Sequence, residues 1–179
     1  MIPVFLANGF EEIEALATVD ILRRAGLSVV TVGVGSATPC GAHDISVSAD
    51  ITEDELVITD CDAVVLPGGM PGTLNLEKST VVQEAVRYAT EKELPVAAIC
   101  AAPSILGHIG YLVDKKATCY PGFETELTGA EYVRAGVVTD GIFTTASGAG
   151  VAVDFALELV RILVSVEVAE EIRRGIQCR

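Results

Sequence analysis

The sequence predicts an α/β fold in which helices cover both faces of a mostly parallel central sheet. Short apolar runs alternate with segments of helical periodicity along nearly the whole chain, a pattern typical of strands joined by crossover helices. The strand runs are apolar throughout, as expected for strands buried on both faces. A length of 179 residues, with 50% hydrophobic residues and 17 Gly, predicts a single domain spanning residues 1–179.

The first half of the chain is predicted to contain three strands, two helices and one interruption. Gly26 closes the first helix as its C′ residue. Alternating apolar residues between positions 36 and 59 indicate a small antiparallel excursion, followed by a short acidic helical turn. The predicted elements are a strand at 2–7, a helix at about 11–25, strands at 28–33 and 62–66, and a helix at about 79–92.

The second half continues the alternation from a short apolar strand at 96–99, which Pro95 introduces. Pro103 is expected at the first position of the next helix, since proline is favoured there. The remaining predicted elements are edge strands near 117–119 and 131–138, a strand at 142–146, and helices at about 150–164 and 167–175.

Charge and cysteine content exclude several classes of partner. A net charge of −13 argues against nucleic acid and acidic membrane surfaces, since both require basic contacts. No apolar stretch is long enough to span a bilayer, and Met1 starts no signal pattern, so a cytoplasmic location is expected. Five cysteines without a C-x-x-C pair suggest neither a disulfide framework nor a zinc site. Two histidines, His43 and His108, are too few for a His-rich metal site, and no metal is expected.

Four loops with chemically notable residues follow predicted strands. They are residues 7–14 (ANGFEEIE), residues 67–72 (PGGMPG), the turn at Cys100, and residues 147–150 (SGAG). In open α/β sheets, ligands bind outside the carboxyl ends of the strands, so these loops are expected to open onto one crevice.

Cys100 is the leading candidate for chemistry. Its position between a strand and a helix N-terminus favours the thiolate. The alternative is a small buried hydrophobe, which is how most free cysteines behave. The glycine-rich loop offers backbone N–H groups that, with the N–H of Ala101, could hold an oxyanion. It could equally be an ordinary tight turn or a phosphate cradle, although it matches no P-loop or dinucleotide fingerprint.

Glutamates crowd the start of the first helix. Glu11 and Glu12 suit a capping role, because the helix macrodipole favours acidic residues there. Glu14 is expected to point toward the crevice together with Ile13 and Ala17. A carboxyl packed beside a thiol would be protonated, and it could donate a hydrogen bond to the thiolate or exchange protons with a substrate.

Three motifs in this order, NGFEEIE, VVLPGGMPG and AAICAAPS, resemble the ThiJ/PfpI superfamily, and within it the branch that contains the human Parkinson-disease protein deglycase. The resemblance extends over essentially the whole chain, including the late SGAGVAVDFAL segment. It implies a three-layer flavodoxin-like sandwich, also described as class I glutamine-amidotransferase-like, and a homodimer.

The resemblance also implies roles for individual residues. Cys100 matches the family's reactive, oxidation-sensitive nucleophile, and Glu14 matches its protonated glutamate partner. Gly69 and Ala101 match the backbone donors beside the thiol. The other residues expected to line the site are Tyr120, Gly68, Ser147, Gly148 and Arg24, of which Arg24 is also expected near the dimer interface together with Arg23.

The chain departs from the family's patterns at two positions. The peptidase branch has a His directly after the nucleophile, where this chain has Ala101, so proteolysis is not expected. The human protein has a His before a Pro near the thiol, where this chain has Tyr120 before Pro121. Tyrosine can donate a hydrogen bond but is a poor general base. His108 is expected to be structural or exposed.

These observations predict a cofactor-independent, stress-protective enzyme of the glyoxalase or deglycase type that acts on a small aldehyde or dicarbonyl substrate. The competing interpretation is an oxidation-sensing or chaperone-like protein with Cys100 as its redox switch. A thiamine-biosynthesis accessory role rests on the superfamily name alone. A plain flavodoxin-like binding protein would bind phosphate or flavin at the glycine-rich loops.

Overall fold

A seven-stranded sheet forms the centre of the structure, a computed structural model that describes residues 1–178. Its strands are β1 (Ile2–Ala7), β2 (Val29–Val34), β3 (Ile51–Thr52), β4 (Val64–Leu66), β5 (Val96–Ile99), β8 (Val137–Asp140) and β9 (Phe143–Ala146). They are arranged in the order β3-β2-β1-β4-β5-β9-β8. Only β8 runs antiparallel to its neighbour. The mostly parallel sheet predicted from the sequence is therefore confirmed.

Helices cover both faces of this sheet. They are α1 (Glu12–Arg24), α2 (Gly72–Lys78), α3 (Thr80–Glu91), α4 (Pro103–His108), α5 (Ala152–Leu163) and α6 (Val166–Gly175). One core cluster joins the sheet to α1, α5 and α6, and the other joins it to α2, α3 and α4. The result is the predicted three-layer flavodoxin-like sandwich, in which burial of apolar side chains on both faces stabilises the sheet.

Several local predictions are confirmed by backbone geometry. Gly26 has a φ of +76° and its N–H donates to the carbonyl of Arg23, which ends α1 as a C′ glycine does. The predicted antiparallel excursion contains a bridge between Cys40 and Ser46. The acidic turn after it is a short 3-10 helix, Glu53–Glu55.

The secondary structure differs from the prediction at three places, the first being β3, which pairs parallel with β2 inside the segment predicted as an antiparallel excursion. Helix α2 was not expected, because its sequence GTLNLEK combines poor helix formers with only two large apolar residues. The edge strands expected near 117–119 and 131–138 are instead β6 (Lys116–Ala117) and β7 (Glu131–Tyr132), which form a separate parallel ribbon, followed by β8 in the main sheet. Strands of two residues leave no periodicity to detect.

Among residues 1–178, no helix combines the length and apolar character that crossing a membrane requires.

Candidate active site

Cys100 lies on a sharp turn between β5 and α4. Its N–H donates to the carbonyl of Ala146 at 2.8 Å, which extends the pairing of β5 and β9 by one residue. Its φ of +66° is in the left-handed region, where a residue with a side chain is strained by about 1–3 kcal/mol. Pro103 then occupies the predicted first position of α4. The turn places the thiol at the carboxyl edge of the sheet, where the sequence predicts it.

Glu14 reaches this thiol from the first turn of α1. Its side chain is buried, and its Oε2 accepts a hydrogen bond from the N–H of Gly68 at 2.9 Å. Its Oε1 is buried as well. A side chain at Gly68 would begin 2.5 Å from Cys100 Cβ and 2.7 Å from Glu14 Oε2. Only glycine therefore allows the carboxyl group and the thiol to meet.

The side chain of Glu14 points into the protein, but that of Ile13 does not. Ile13 is 57% exposed, whereas Glu14 is 1% exposed, so the prediction that the two point the same way is wrong. Adjacent helix positions differ by about 100° around the axis and face different surroundings.

Burial dominates the ionisation of Glu14. Desolvation raises the pKa of its carboxyl group to about 7, against the lowering effects of the Cys100 thiol and the Gly68 N–H. The negative charge of Glu11 raises it further. About half of the Glu14 carboxyl groups are therefore protonated near neutral pH, whereas the sequence predicted the protonated form.

Burial also raises the pKa of the Cys100 thiol. Desolvation, followed by the charge and hydrogen bonding of Glu14, raises the pKa of Cys100 to about 12, whereas the N–H groups of Gly69 and Ala101 lower it. The predicted thiolate is therefore not the resting form. Helix α4 has six residues, so its N-terminus is too weak to outweigh burial beside a carboxylate. At rest the proton is on sulfur, and ionised Glu14 is the group that can accept it.

Tyr120 forms one side of the opening to the thiol. Its N–H donates to the carbonyl of Cys100 at 2.8 Å. A side chain at Gly148 would begin 3.3 Å from Tyr120 Cδ2 and 4.0 Å from Cys100 Sγ. Ser147 precedes Gly148, and its N–H donates to the carbonyl of Gly136. The structure thus brings Tyr120 and Gly148 to Cys100, as expected for residues that line the site.

Within this chain Arg24 lies away from Cys100, and its predicted place at a dimer interface near the site stays a prediction. It occupies the last turn of α1, whereas Glu14 occupies the first, and a helix of 13 residues is about 20 Å long. Its Nε donates to Asp20 at 2.8 Å, and it borders a surface pocket of about 380 Å³ next to α6.

Neither histidine replaces the missing base beside the thiol. His108 contacts Glu77 through Nδ1 at 2.5 Å and Glu126 through Nε2 at 2.8 Å. These carboxylates raise the pKa of His108, Glu77 first, and engage both ring nitrogens. The structural role expected for His108 is consistent with these contacts.

His43 takes part in a cluster that the sequence did not indicate. Its Nδ1 lies 2.9 Å from Glu12 Oε2 and 3.6 Å from Glu11 Oε2. Within residues 1–178, this is the one group of three such side chains close enough together to hold a metal ion. Hydrogen bonding to Glu12 and the charges of both carboxylates raise the pKa of His43, so an ion pair accounts for the cluster. Glu12 thus anchors the 41–45 loop to α1 as well as beginning the helix.

The comparison with known sequences identifies the family. The profile of the DJ-1/PfpI family matches residues 1–162. The chain belongs to the DJ-1/PfpI family. It is 35% identical to protein dj-1beta of Drosophila melanogaster over 177 residues, which cover 97% of this chain and 94% of that protein. It is also 36% identical to a deglycase of Pyrococcus horikoshii over 138 residues, which cover 75% of this chain and 82% of that protein.

Solved structures of DJ-1/PfpI family members share this fold. The crystal structure of Drosophila melanogaster DJ-1beta has a TM-score of 0.94 at 34% identity, covering 99% of this chain and 97% of that chain. The structure titled Toxoplasma gondii DJ-1, oxidized, has the same TM-score at 30% identity, covering 98% and 97%. The family resemblance and the flavodoxin-like fold are thereby confirmed.

Replacing Glu14 by Gln should change how stability depends on pH. Because the pKa of Glu14 in the folded protein, about 7, lies above the ordinary glutamate pKa of 4.5, the folded protein binds the proton more tightly. The free energy of unfolding should fall by up to about 3 kcal/mol as pH rises from 4.5 to above 7. Urea unfolding at pH 5 and pH 8 should show this fall in the wild type and a smaller one in Glu14→Gln. Equal pH dependence in both proteins would contradict the burial of this charge.

Gly68→Ala should separate Glu14 from Cys100, because the new methyl group overlaps both. Because the charge and hydrogen bonding of Glu14 raise the pKa of the thiol, iodoacetamide labelling of Cys100 at pH 8, followed by peptide mapping, should become at least severalfold faster. Gly150→Ala is the matched control, since a side chain there meets nothing within 4 Å. Similar labelling rates in the two variants would refute the close approach of the carboxyl group and the thiol.

Proposed function

We propose that this DJ-1/PfpI family member is a cofactor-independent enzyme that uses Cys100 to attack small reactive carbonyls, in a reaction of the glyoxalase or deglycase type. The supporting observation is the arrangement around the thiol. The buried Glu14 carboxyl group hydrogen-bonds to the thiol, and the backbone N–H groups of Gly69 and Ala101 hydrogen-bond to the sulfur. A thiol, a proton acceptor and two charge-stabilising donors are the components that addition to an aldehyde requires.

The first step is formation of a hemithioacetal. The sulfur of Cys100 bonds to the aldehyde carbon, the carbonyl π bond breaks, and the thiol proton passes to ionised Glu14. Negative charge moves from sulfur to the carbonyl oxygen, and the N–H groups that act on the sulfur stabilise it there. Glu14 then returns the proton to this oxygen, so the step is neutral overall.

With a dicarbonyl such as methylglyoxal, the remaining steps need only proton transfers and water. The proton on the hemithioacetal carbon moves to the neighbouring ketone carbon through an enediol, which yields a thioester and an adjacent alcohol. Water then cleaves the thioester, releases a hydroxy acid and restores the thiol. The aldehyde carbon is oxidised as the ketone carbon is reduced, so no external redox partner takes part. Glu14 is the buried group that can carry these protons.

The wider setting of this proposal is a stress-protective homodimer in the cytoplasm. The name of the Pyrococcus horikoshii relative, a deglycase, supports carbonyl chemistry in the family. Ile13, Leu16 and Ile45 are large, exposed apolar side chains, and they support an interface with a second copy. Small uncharged carbonyl compounds are also compatible with a chain of net charge −13.

Turnover of methylglyoxal should depend on Cys100 and on the ionisation of Glu14. Cys100→Ser should abolish it. In the wild type, kcat/KM should rise with pH through about 7, because only ionised Glu14 accepts the thiol proton. Glu14→Gln should lower kcat/KM by about 100-fold and remove this rise. Unchanged turnover in Cys100→Ser would refute the proposal.

Glu11→Gln is the matched control for the pH dependence. The charge of Glu11 raises the pKa of Glu14, so its removal should move the midpoint to lower pH and leave the plateau unchanged. A midpoint that does not move would show that a group other than Glu14 titrates.

A second candidate function is oxidation sensing, favoured by the different surroundings of the cysteines. Cys61 and Cys119 are buried, whereas Cys100 is half-buried and has backbone donors that would stabilise an oxidised, negatively charged sulfur. Here hydrogen peroxide transfers oxygen to sulfur and leaves as water, first to a sulfenic and then to a sulfinic acid.

Mild peroxide should therefore oxidise Cys100 before the other four cysteines. Peptide mapping after stepwise additions should show the sulfinic form at Cys100 while Cys40 and Cys178, which are also half-buried, remain reduced. Simultaneous oxidation of these three thiols would refute a sensing role.

A further inference from the structure

Tyr120 is the large side chain among the groups that surround the thiol opening. Glu14 beside the thiol is buried, and the other neighbours of the sulfur are the backbone N–H groups of Gly69 and Ala101 and the side of Gly148 that carries no side chain. When the aldehyde carbon of a substrate is bonded to Cys100, the rest of the substrate must contact a surface outside these backbone atoms. Tyr120 is the side chain in contact with this opening that offers an extended surface.

Two observations place Tyr120 beside the thiol. Its backbone N–H donates to the carbonyl of Cys100 at 2.8 Å, so the main chain of Tyr120 is tied to the turn that carries the thiol. The ring also packs on Gly148, whose φ of +151° is a conformation that glycine readily adopts. Gly148 has no side chain, which leaves a space that both the ring and the sulfur border. The point where a side chain would begin lies 3.3 Å from Tyr120 Cδ2 and 4.0 Å from Cys100 Sγ.

Much of the Tyr120 side chain nevertheless remains uncovered. The residue is 50% exposed beside a half-buried thiol. An aromatic ring that is accessible can stack against a flat, apolar group with little loss of conformational freedom.

We propose that Tyr120 is a specificity-determining residue whose ring face stacks on the substituent of the bound carbonyl compound, so that the site prefers aryl-substituted α-oxoaldehydes to the methyl compound. This inference rests on the proposed addition of Cys100 to aldehydes. Stacking, rather than hydrogen bonding by the phenolic hydroxyl group, provides the preference. Stacking of an aromatic pair changes an affinity by about three- to tenfold.

The test measures addition to Cys100 separately from turnover. Phenylglyoxal and methylglyoxal compete with iodoacetamide for Cys100, and the concentration of each that halves the labelling rate gives the preference. The same two compounds are then assayed for turnover as kcat/KM. The proteins are the wild type, Tyr120→Leu, Tyr120→Phe and Tyr132→Leu, the last being a control at an exposed tyrosine of the β6–β7 ribbon.

The wild type should prefer phenylglyoxal in the protection assay. Tyr120→Leu should reduce this preference by about three- to tenfold, chiefly through phenylglyoxal. Tyr120→Phe and Tyr132→Leu should keep it. An unchanged preference in Tyr120→Leu would overturn the inference, as would its loss in Tyr120→Phe, which would assign recognition to the hydroxyl group.

The outcomes also distinguish this inference from the enzymatic proposal. Selective protection without turnover of either compound would refute the enzymatic function while supporting stacking by Tyr120. Turnover of both compounds with equal preference in the wild type and Tyr120→Leu would overturn only the inference. If neither aldehyde protects Cys100 in the wild type, the inference is overturned whatever the turnover.

Discussion

The close approach of Glu14 and Cys100 across the backbone of Gly68 is the constraint on which the rest of the site depends. A side chain at Gly68 would begin within 2.7 Å of both partners. The approach requires α1, the loop after β4 and the turn after β5 to meet at one point. Parallel strands β4 and β5 lie side by side in register, which brings their carboxyl ends together there.

This approach also determines how the thiol is activated. Burial opposes charge on either group, so the pKa values of Glu14 and Cys100 are both raised. Two groups in such contact titrate as a pair, and the proposed reaction uses the transfer of one proton between them. The N–H groups of Gly69 and Ala101 favour that transfer by stabilising negative charge near the sulfur. Because Tyr120 stands where the family resemblance implies a histidine, the proposed reaction relies on the carboxyl group of Glu14 for proton transfer.

The fold could be predicted from the sequence wherever an element is long or fully apolar. β1, β2 and β5 are apolar runs, and α3 and α5 are amphipathic over three turns, so local periodicity identifies them. Prediction failed at α2 and at the β6–β7 ribbon. These elements are short, and pairing with residues far along the chain holds the ribbon in place.

The sequence by itself determined which loops meet and that Cys100 is the thiol among them, because the carboxyl ends of parallel strands always share one edge. Only the tertiary structure decided that Ile13 stays exposed beside the buried Glu14, that Arg24 lies at the far end of α1, and that His43 pairs with Glu12. It also decided that the resting proton is on sulfur. The physical reason is that burial and distance decide these features. Both depend on contacts such as that between Glu14 and Gly68, 54 positions apart, which local sequence does not encode.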